Sequence, residues 1–530
     1  MSLVTHDPKY RRIWMWPRNK RRIPSWAIAN MLSIVKVQTS SETIVSGNIE
    51  LQNIMTKAME SSGLKKAGEQ YHPNPGGMRT YLSQLEGLGL IFYRPDRSLW
   101  FTLAGEDIVS GKPPLPILQT MILKYQYPSV YSMGAQVRIN PSLKIKPYLF
   151  LLKLLMDPDI GYLTNKEIAI PVIYGHNNSC YALCKEKILL LRSGEEFENI
   201  IDSTSEDLYT PRGSSLQNIF DIANTFKNVL QSFCFIYTEK NGRIEQAYLN
   251  EELIPEIKKA LKNENKFISM NGTEEWFQRT FGAWNRKDLR QLTKTQYTSR
   301  SELEKNIIAG HFASYCGTRL VTEVDDEFID KMVESYGFDR QFIRDTASRL
   351  LSRSYSMFEE RFIELSRSGD PRMALEFEKA VTTIFRDVLY FDAVETGQKK
   401  NYSSVGGYSD VFAVASDGIH CAIIDAKASP KYDLGSADWY KMKDNYIANY
   451  MDLAEGRPLE LEFCSYVAGG FKGNIASKLR QLSEATGVGA SAISASQLIR
   501  LAQKNPIPEN QPTIREVFCK NKILTAEDFI

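Results

Sequence analysis

The clearest hydrophobic pattern in the chain predicts a β-hairpin in its C-terminal third. Residues 411–415 and 419–424 are apolar almost throughout, which is typical of strands buried on both faces. The Ser-Asp-Gly sequence between them is a turn signal. We predict a two-residue loop of Asp417 and Gly418, and this loop determines which residues of the two strands face each other.

The predicted register brings two carboxylates and an amine together at the open end of the hairpin. It places Asp410 opposite Asp425, with Cβ atoms about 4.5–5.5 Å apart. Lys427 lies two residues beyond Asp425 and therefore points to the same face. Two like charges this close are destabilising unless a cation lies between them. We therefore predict that Asp410 and Asp425 bind a metal ion, with Lys427 beside it.

These residue types suit the hydrolysis of phosphodiester bonds. That reaction needs a hard divalent cation, usually Mg²⁺, held by one or two carboxylates and by the scissile phosphate. We expect Lys427 to orient or deprotonate the attacking water and to offset charge on the phosphorus. The spacing Asp-x14-Asp-Ala-Lys matches the signature of PD-(D/E)XK nucleases, with Ser409-Asp410 in place of Pro-Asp.

A third acid is predicted upstream of the hairpin. Residues 373–389 carry Phe377, Val381 and Ile384 at helical spacing. This helix places Glu378 just before the predicted sheet, and we interpret Glu378 as a supporting metal ligand or as an acid that orients one. The alternative is structural, because any one of these charged residues alone is more often a strand cap, a turn residue or a solvated side chain.

The N-terminal part of the chain predicts a DNA-reading module. Residues 79–88 show a helical stripe ended by Gly89, two short apolar runs follow around a turn, and a new helix begins near Thr102. Helix, hairpin and helix are typical of the end of a winged-helix module, in which a recognition helix enters the major groove. Winged helices also mediate protein contacts, so the pattern alone leaves that alternative open.

A second module of the same type is predicted after residue 141. Residues 148–156 form an apolar helix, and Thr164 or Asn165 is expected to cap the next one. Asn241-Gly242, between two strand-like runs, indicates a hairpin that leads into a further helix. Two modules in tandem allow one chain to read a short asymmetric site without dimer symmetry.

Basic and aromatic residues alternate near the N-terminus. Residues 9–26 contain seven basic residues and four large aromatic residues, with no acid among them. This segment is suited to follow the phosphate backbone or to enter a groove, and the alternative is that its tryptophans dock on the first module. The candidate DNA-binding residues are Arg11, Arg12, Arg18, Lys20, Arg21, Arg22, Arg79, Arg94 and Arg97.

Between about residues 285 and 365 the chain is strongly charged, with apolar residues three and four positions apart, which predicts a helical connector. The pattern breaks at Arg-Ser-Gly-Asp-Pro. We predict a multidomain α+β protein with a tandem winged-helix-like recognition region, a helical linker and a C-terminal α/β PD-(D/E)XK nuclease core. The predicted boundaries are 1–140 and 141–290 for the two recognition subdomains, 291–370 for the linker and 371–530 for the nuclease domain.

Composition bounds the cellular setting without identifying a partner. The 530 residues are 43% hydrophobic and 24% charged, as in ordinary globular domains, and the net charge of +2 neither requires nor excludes nucleic acid. Seven scattered cysteines suggest free thiols in a reducing cytoplasm. No apolar run approaches the length of about 18 residues that a membrane span needs, and the charged N-terminus is unlike a secretion signal.

Several short motifs resemble the AlwI-type group of type IIS restriction endonucleases, which includes the nicking enzyme BstNBI. They are Leu123 to Ser129, Ile139-Asn140-Pro141, Phe377-Glu378 and the hairpin with Asp410 and Asp425. The resemblance implies an N-terminal domain that binds a short asymmetric DNA sequence and a Mg²⁺-dependent C-terminal domain that cuts a few base pairs outside it. It also implies a bacterial, cytoplasmic protein of a restriction-modification system, with Glu378, Asp410 and Asp425 as the acidic metal site.

The sequence leaves several alternatives open. The nicking branch of the family has Glu-Val-Thr where this chain has Asp425-Ala426-Lys427, so the resemblance assigns no role to the lysine. One active site cuts one strand, and a double-strand break therefore needs transient pairing of two cleavage domains or a second small subunit. Two rival functions are a non-catalytic sequence-specific DNA-binding regulator and a structure-specific DNA repair nuclease.

Overall fold

The protein is divided into two compact units in a computed structural model of the chain. The N-terminal unit comprises Met1–Ser314 and Met332–Phe338, and the C-terminal unit comprises Tyr315–Lys331 and Asp339–Ile530. The structure describes residues 10–11, 13–15, 23–39, 48–61, 64, 76–130, 138–139, 143–201, 216–292, 300–397, 407–504 and 506–529.

The described part of the N-terminal unit is largely helical, with short strands between the helices. Its helices are α1 (Ser25–Gln38), α2 (Ile49–Ser61), α3 (Gly76–Gly87), α4 (Leu103–Val109), α5 (Pro114–Lys124), α6 (Pro147–Leu155), α7 (Asn165–Tyr174), α8 (Tyr181–Arg192), α9 (Phe197–Ile200), α10 (Leu216–Ser232), α11 (Ile254–Leu261) and α12 (Glu274–Phe281). Its strands are β1 (Tyr10–Arg11), β2 (Ile91–Tyr93), β3 (Leu99–Phe101), β4 (Arg138–Ile139), β5 (Tyr162–Thr164), β6 (Ile236–Asn241) and β7 (Ile244–Leu249).

The first predicted helix, hairpin and helix are present as α3, β2–β3 and α4. The hairpin strands pair antiparallel, with Ile91 opposite Phe101. The hairpin turn holds Arg97 at a φ of 67°, in the left-handed region. Helix α4 begins after Thr102, whose hydroxyl accepts a hydrogen bond from the Gly105 N–H at 3.2 Å and so caps the helix. The element order predicted for residues 79–108 is therefore confirmed.

The second predicted module contains a three-stranded sheet in the order β5-β7-β6. Of the two caps predicted for α7, Thr164 and Asn165, the structure has Thr164, which forms a capping box with Glu167. The hairpin of β6 and β7 pairs Asn241 with Ile244, so its loop is Gly242-Arg243 and not the predicted Asn241-Gly242. Gly242 has a φ of 61°, which suits the first position of a tight loop.

Two further helices, α13 (Arg300–Thr318) and α14 (Asp326–Tyr336), contain residues of both units. The rest of the C-terminal unit has α15 (Arg340–Ser348), α16 (Ser354–Leu365), α17 (Pro371–Thr383), α18 (Ser436–Tyr440), α19 (Ile475–Thr486), α20 (Ala495–Gln503) and α21 (Gln511–Phe518). Its strands are β8 (Asp392–Glu395), β9 (Val411–Val414), β10 (His420–Ala426), β11 (Glu460–Ala468), β12 (Gly489–Ser494) and β13 (Ile523–Leu524).

The C-terminal unit is built on one mixed sheet of six strands in the order β13-β12-β11-β10-β9-β8. Strands β10 to β13 run parallel, whereas β8 and β9 pair antiparallel. One face packs on residues of α16, α17, α20 and α21, and the other on α19 and a π-helical turn, Lys441–Ile447. A mixed sheet covered on both faces by helices is the predicted arrangement.

The segment predicted as a helical connector is helical, but its last helix packs against the six-stranded sheet of the C-terminal unit. Helix α16 contributes Tyr355, Phe358, Phe362 and Leu365 to the same hydrophobic core as the sheet of the C-terminal unit. The predicted break between Arg367 and Pro371 is present, because α16 ends at Leu365 and α17 begins at Pro371. The domain boundaries proposed from the sequence stay predictions.

All seven cysteines lie in described parts of the chain and are free thiols. Among the described helices, none combines the length and the apolar character that crossing a bilayer requires.

Candidate active site at the open end of a hairpin

The β9–β10 hairpin has the register predicted from the sequence. Ile424 pairs with Val411 and Cys421 with Val414. The ladder ends one position before the acids, where the Asp410 Oδ2 atom accepts a hydrogen bond of 2.7 Å from the Ala426 N–H. The hairpin therefore brings Asp410 to the end of β10 that carries Asp425, as its turn and apolar pattern predict.

The two acids and the lysine share one face of the sheet. Side chains alternate along β10, and Ile423 of the Asp425 face belongs to the core under the π-helical turn. The Lys427 Nζ atom lies 2.7 Å from Asp425 Oδ2. The Asp425 side chain is 4% exposed, and its Oδ1 atom has no hydrogen-bond partner among the described residues. One oxygen of this carboxylate is thus bound and the other is buried without a partner.

Asp410 is held in an environment that opposes its charge. Burial, the Asp425 carboxylate and Glu378 raise the pKa of Asp410 well above its usual range, and Lys427 offsets only part of this effect. The Asp410 carbonyl accepts hydrogen bonds from the Thr396 and Gly397 N–H groups. A Cβ atom at Gly397 would lie 2.9 Å from Asp410 Oδ1, so the glycine leaves room for this carboxylate.

Glu378 lies on α17, as the helical pattern predicts, and is half-buried. Burial and the nearby Asp425 raise its pKa above the ordinary glutamate value. The fold therefore brings Glu378 within electrostatic range of the two aspartates. In the part of the chain that the structure describes, no three His, Cys, Asp or Glu side chains are close enough together to hold a metal ion by themselves.

Lys427 keeps its charge in this site. Burial favours the neutral amine, but Asp425, its hydrogen bond and Asp410 outweigh that effect and raise the pKa of Lys427 above its usual value. An ammonium group beside two carboxylates can donate hydrogen bonds and offset negative charge. It does not act as a proton acceptor while it holds its proton.

Three tyrosines on the same side of the sheet, Tyr432, Tyr446 and Tyr466, are absent from the residues proposed on sequence grounds. Burial is the first cause that raises the pKa of Tyr446, and Asp425 and Asp410 raise it further. The pKa of Tyr466 is raised by burial and by Cys464 and Asp425, so this phenol keeps its proton. Tyr466 is the register partner of Asp425 across β10 and β11, a parallel pairing that local sequence patterns do not reveal.

The opposite, turn end of the same hairpin has a different electrostatic character. Asp417 accepts hydrogen bonds from the Ile419 and His420 N–H groups, pairs with the His420 ring at 2.7 Å and with Arg515 at 2.5 Å. Although partial burial opposes ionisation, these contacts hold the pKa of Asp417 well below its usual range. At this end, the carboxylate of Asp417 has all its hydrogen-bond partners within the protein.

The proposed DNA-binding residues fall into three groups. Arg79 and Arg97 are exposed, and Arg97 lies at the β2–β3 turn. Arg94 instead lies 3.3 Å from Glu275, donates to the Leu292 carbonyl at 3.1 Å and stacks over Trp100. Arg12, Arg18, Lys20, Arg21 and Arg22 lie outside the described residues, and Arg11 lies in β1 with a side chain that is likewise outside them.

One tryptophan of the basic segment is docked within the N-terminal unit. Trp14 is fully buried, its ring N–H donates to the Gly175 carbonyl at 2.7 Å, and its ring packs against Phe150 and Phe226. Trp14 therefore docks on residues of the predicted second recognition subdomain, whereas the alternative drawn from the sequence placed the tryptophans of this segment on the first module.

Comparison with known families bears directly on the C-terminal unit. Residues 337–525 match the family model described as the cleavage domain of FokI. This part of the chain is similar to the FokI cleavage domain. The match spans about a third of the chain and includes Glu378, Asp410, Asp425 and Lys427. It indicates a restriction endonuclease, an enzyme that hydrolyses DNA.

Solved structures give weaker comparisons than the FokI-type cleavage domain match. A structure of restriction endonuclease FokI has 14% identity and a TM-score of 0.26, covering 97% of this chain and 100% of that one. FokI bound to DNA has 12% identity and a TM-score of 0.27, with the same coverage. The BpuJ1 endonuclease binding domain in complex with modified DNA has 12% identity and a TM-score of 0.36, covering 53% of this chain and 99% of that one. Scores this low carry no functional argument. No curated protein matches the chain.

Proposed function

We propose that the protein is a Mg²⁺-dependent, sequence-specific type IIS restriction endonuclease of the AlwI-type group. Residues 1 to about 290 bind a short asymmetric site in double-stranded DNA, and residues from about 370 to 530 hydrolyse phosphodiester bonds a few base pairs outside it. One observation carries the proposal: Asp410, Asp425 and Lys427 meet on one face of the sheet, inside the FokI-type cleavage domain. In this proposal the enzyme works in a bacterial cytoplasm.

The donor atoms at the open end of the hairpin fit Mg²⁺. Mg²⁺ binds hard oxygen ligands, usually one or two carboxylates together with substrate phosphates, so a complete cage of protein acids is not required. Asp425 offers a buried oxygen without a partner, and Asp410 lies close enough for the two charges to oppose each other. A cation between them would relieve this repulsion. Glu378 is proposed as the supporting ligand or the acid that orients one.

The chain's own residues have separate roles in the proposed hydrolysis. In the reaction, a bond forms between a water oxygen and phosphorus while a bond from phosphorus to a sugar oxygen breaks. Bound Mg²⁺ supplies polarisation of the phosphate and a lower pKa for water. Lys427, which is charged, donates hydrogen bonds to the phosphate and offsets the charge that develops on it. Orienting or deprotonating the attacking water is the other role proposed for this lysine.

The DNA-reading part of the proposal rests on the two modules of the N-terminal unit. Arg97 at the β2–β3 turn and Arg79 on α3 are exposed, so both are proposed to contact phosphates. Arg94 would first have to exchange its Glu275 partner for a phosphate. The winged-helix character of the modules and the role of the basic residues from Arg11 to Arg22 belong to the same proposal.

The number of strands cut depends on how many active sites act at one position. A single acid site hydrolyses one strand at a time. A double-strand break therefore requires that two cleavage domains pair transiently or that a second small subunit supplies another site, whereas a lone chain would nick. A nicked plasmid would indicate a lone chain, and a linear plasmid would indicate one of the other two arrangements.

Run-off sequencing of cleavage ends tests the proposal. The full chain is incubated with plasmid and Mg²⁺, and we expect ends at a fixed offset from one short asymmetric sequence, on one strand or both. Asp425→Ala should lower cleavage by about 1000-fold or more, because several kcal/mol of charge stabilisation are lost. Asp392→Ala, at an exposed acid of β8, is the matched control and should cut normally.

Each rival function predicts a different result. No cleavage by the wild-type protein, together with sequence-specific binding, would favour the regulator. Cutting at forks or junctions without discrete plasmid products would favour the repair nuclease. Unchanged cutting by Asp425→Ala would remove this carboxylate from the mechanism.

A further inference from the structure

Tyr466 lies beside Asp425, and both side chains have a polar atom that lacks a partner. The two residues are register partners on the parallel strands β10 and β11, and neighbouring strands lie about 4.8 Å apart. Tyr466 is 1% exposed and packs in the core on the Asp425 face. Among the described residues, nothing hydrogen bonds to the Tyr466 hydroxyl or to Asp425 Oδ1. Two neighbouring side chains on the same face of the sheet therefore each carry an unmatched polar atom, and these two atoms do not hydrogen bond to each other.

Two other tyrosine hydroxyls on this side of the sheet have hydrogen-bond partners. The Tyr432 hydroxyl donates to Asp438 Oδ2 at 2.8 Å, although its ring lies only 5.8 Å from that of Tyr466. The Tyr450 hydroxyl donates to the Leu459 carbonyl at 3.1 Å. Buried polar atoms in native proteins normally have partners, and exceptions cluster where a ligand or ion completes the set. The Tyr466 hydroxyl is such an exception.

Packing alone does not account for a tyrosine at this position. A phenylalanine would fill the same volume without burying a hydroxyl, and an unmatched buried hydroxyl lowers the stability of the fold. The hydroxyl can both donate and accept a hydrogen bond, and a carboxylate can only accept. The phenol is therefore suited to donate toward Asp425 or toward the water that accompanies a cation bound there.

We propose that Tyr466 is a positioning residue for the acid site, whose hydroxyl orients the free oxygen of Asp425 for binding a divalent cation. The inference rests on the proposed function, because it assigns a role within the same metal-dependent site. Residues that orient metal ligands are commonly as necessary for affinity as the ligands themselves, and their loss typically weakens metal binding about 10–100-fold.

The test compares Tyr466→Phe with the wild-type full chain and with Tyr450→Phe as a matched control. The thermal midpoint is measured without DNA, first without metal and then over a Mg²⁺ titration at constant ionic strength. Cleavage of the plasmid is measured over the same Mg²⁺ range. Tyr450→Phe removes a hydroxyl that has a partner, so it should lower the metal-free midpoint and leave the Mg²⁺ dependence unchanged.

Tyr466→Phe should give the opposite result. Its metal-free midpoint should equal or exceed that of the wild type, because the substitution removes an unmatched buried group. The rise in thermal midpoint with Mg²⁺ should be smaller than in the wild type. Half-maximal cleavage should need at least about 10-fold more Mg²⁺ than the wild type needs. A lowered metal-free midpoint with unchanged Mg²⁺ dependence would overturn the inference while the proposed function stands. A wild-type protein that neither cleaves nor responds to Mg²⁺ would overturn both.

Discussion

The two ends of the β9–β10 hairpin use the same residue type in opposite ways. At the turn end, Asp417 is held by two backbone N–H groups, the His420 ring and Arg515, and its pKa is lowered. At the open end, Asp410 is close to a second buried acid and its pKa is raised. The fold stabilises the charge of the first aspartate and opposes the charge of the second.

The difference lies in the partners of the two carboxylates. Seven positions apart in the chain, both aspartates belong to one hairpin and both have hydrogen-bond donors nearby. What distinguishes them is the number of positive or N–H partners relative to the surrounding negative charge. Carboxylates kept together without enough partners reduce the stability of a protein, and such sites are usually retained for binding or catalysis. In the proposed function, a divalent cation is the missing partner at the open end.

The largest contrast is expected from removing one acid at each end. Asp417→Ala should lower the free energy of unfolding of the C-terminal unit by about 1–3 kcal/mol, since it leaves several donors without an acceptor. Asp410→Asn should leave the metal-free stability unchanged or raised, because it removes charge repulsion while preserving shape. Urea denaturation of the full chain without metal measures both.

Cleavage assays on the same two variants sharpen the contrast. Asp417→Ala should still cut DNA at temperatures where it is folded, whereas Asp410→Asn should not. If Asp410→Asn destabilised the protein as much as Asp417→Ala does, the two ends would not differ in the way described.

A smaller effect is expected in the pH dependence of metal-free stability. Because the folded state raises the pKa of Asp410, it binds a proton more tightly than the unfolded chain does. The stabilisation from that proton is complete below the unfolded value, near pH 4, and is lost as the pH rises through the folded value. One such group gives a slope of at most about 1.4 kcal/mol per pH unit.

Asp410→Asn should reduce this decline, and Glu378, whose pKa is also raised, should account for part of what is left. Denaturation midpoints across this pH range, without metal, measure the slope. If the slope were the same in wild type and in Asp410→Asn, the folded state would not raise the pKa of Asp410. Asp417→Ala provides the opposite control, because a lowered pKa stabilises the fold above pH 4.

The parts of the site that could be predicted from sequence are those determined by local patterns. The turn at Asp417 and Gly418 and the apolar runs on either side determine the register, and the register determines the meeting of Asp410 and Asp425. The helical spacing of Phe377 and its neighbours likewise predicts where Glu378 lies. These features depend on residues close together in the chain.

The features that sequence patterns missed depend on long-range contacts. Tyr466 lies next to Asp425 because β11 pairs parallel with β10, although the two residues are about forty positions apart in the chain. Parallel strands are not joined by a tight turn, so the sequence contains no local signal for this pairing. Arg94 is of the residue type that contacts DNA phosphates, but in the structure its side chain forms an ion pair with Glu275, which is 181 positions away in the chain. The loop of the β6–β7 hairpin lies one residue later in the chain than the sequence predicts. Two adjacent strand registers both place a glycine in the turn, and local sequence does not distinguish them.

The most direct test of the account is to locate the metal ion. Anomalous diffraction from crystals of the full chain grown with DNA and with Mn²⁺ in place of Mg²⁺ would identify the ion by its own scattering. We predict a peak at coordination distance from Asp425 Oδ1 and from an oxygen of Asp410, at the open end of the hairpin. A bound ion that touches neither carboxylate would contradict the central claim that this end of the hairpin is the catalytic metal site.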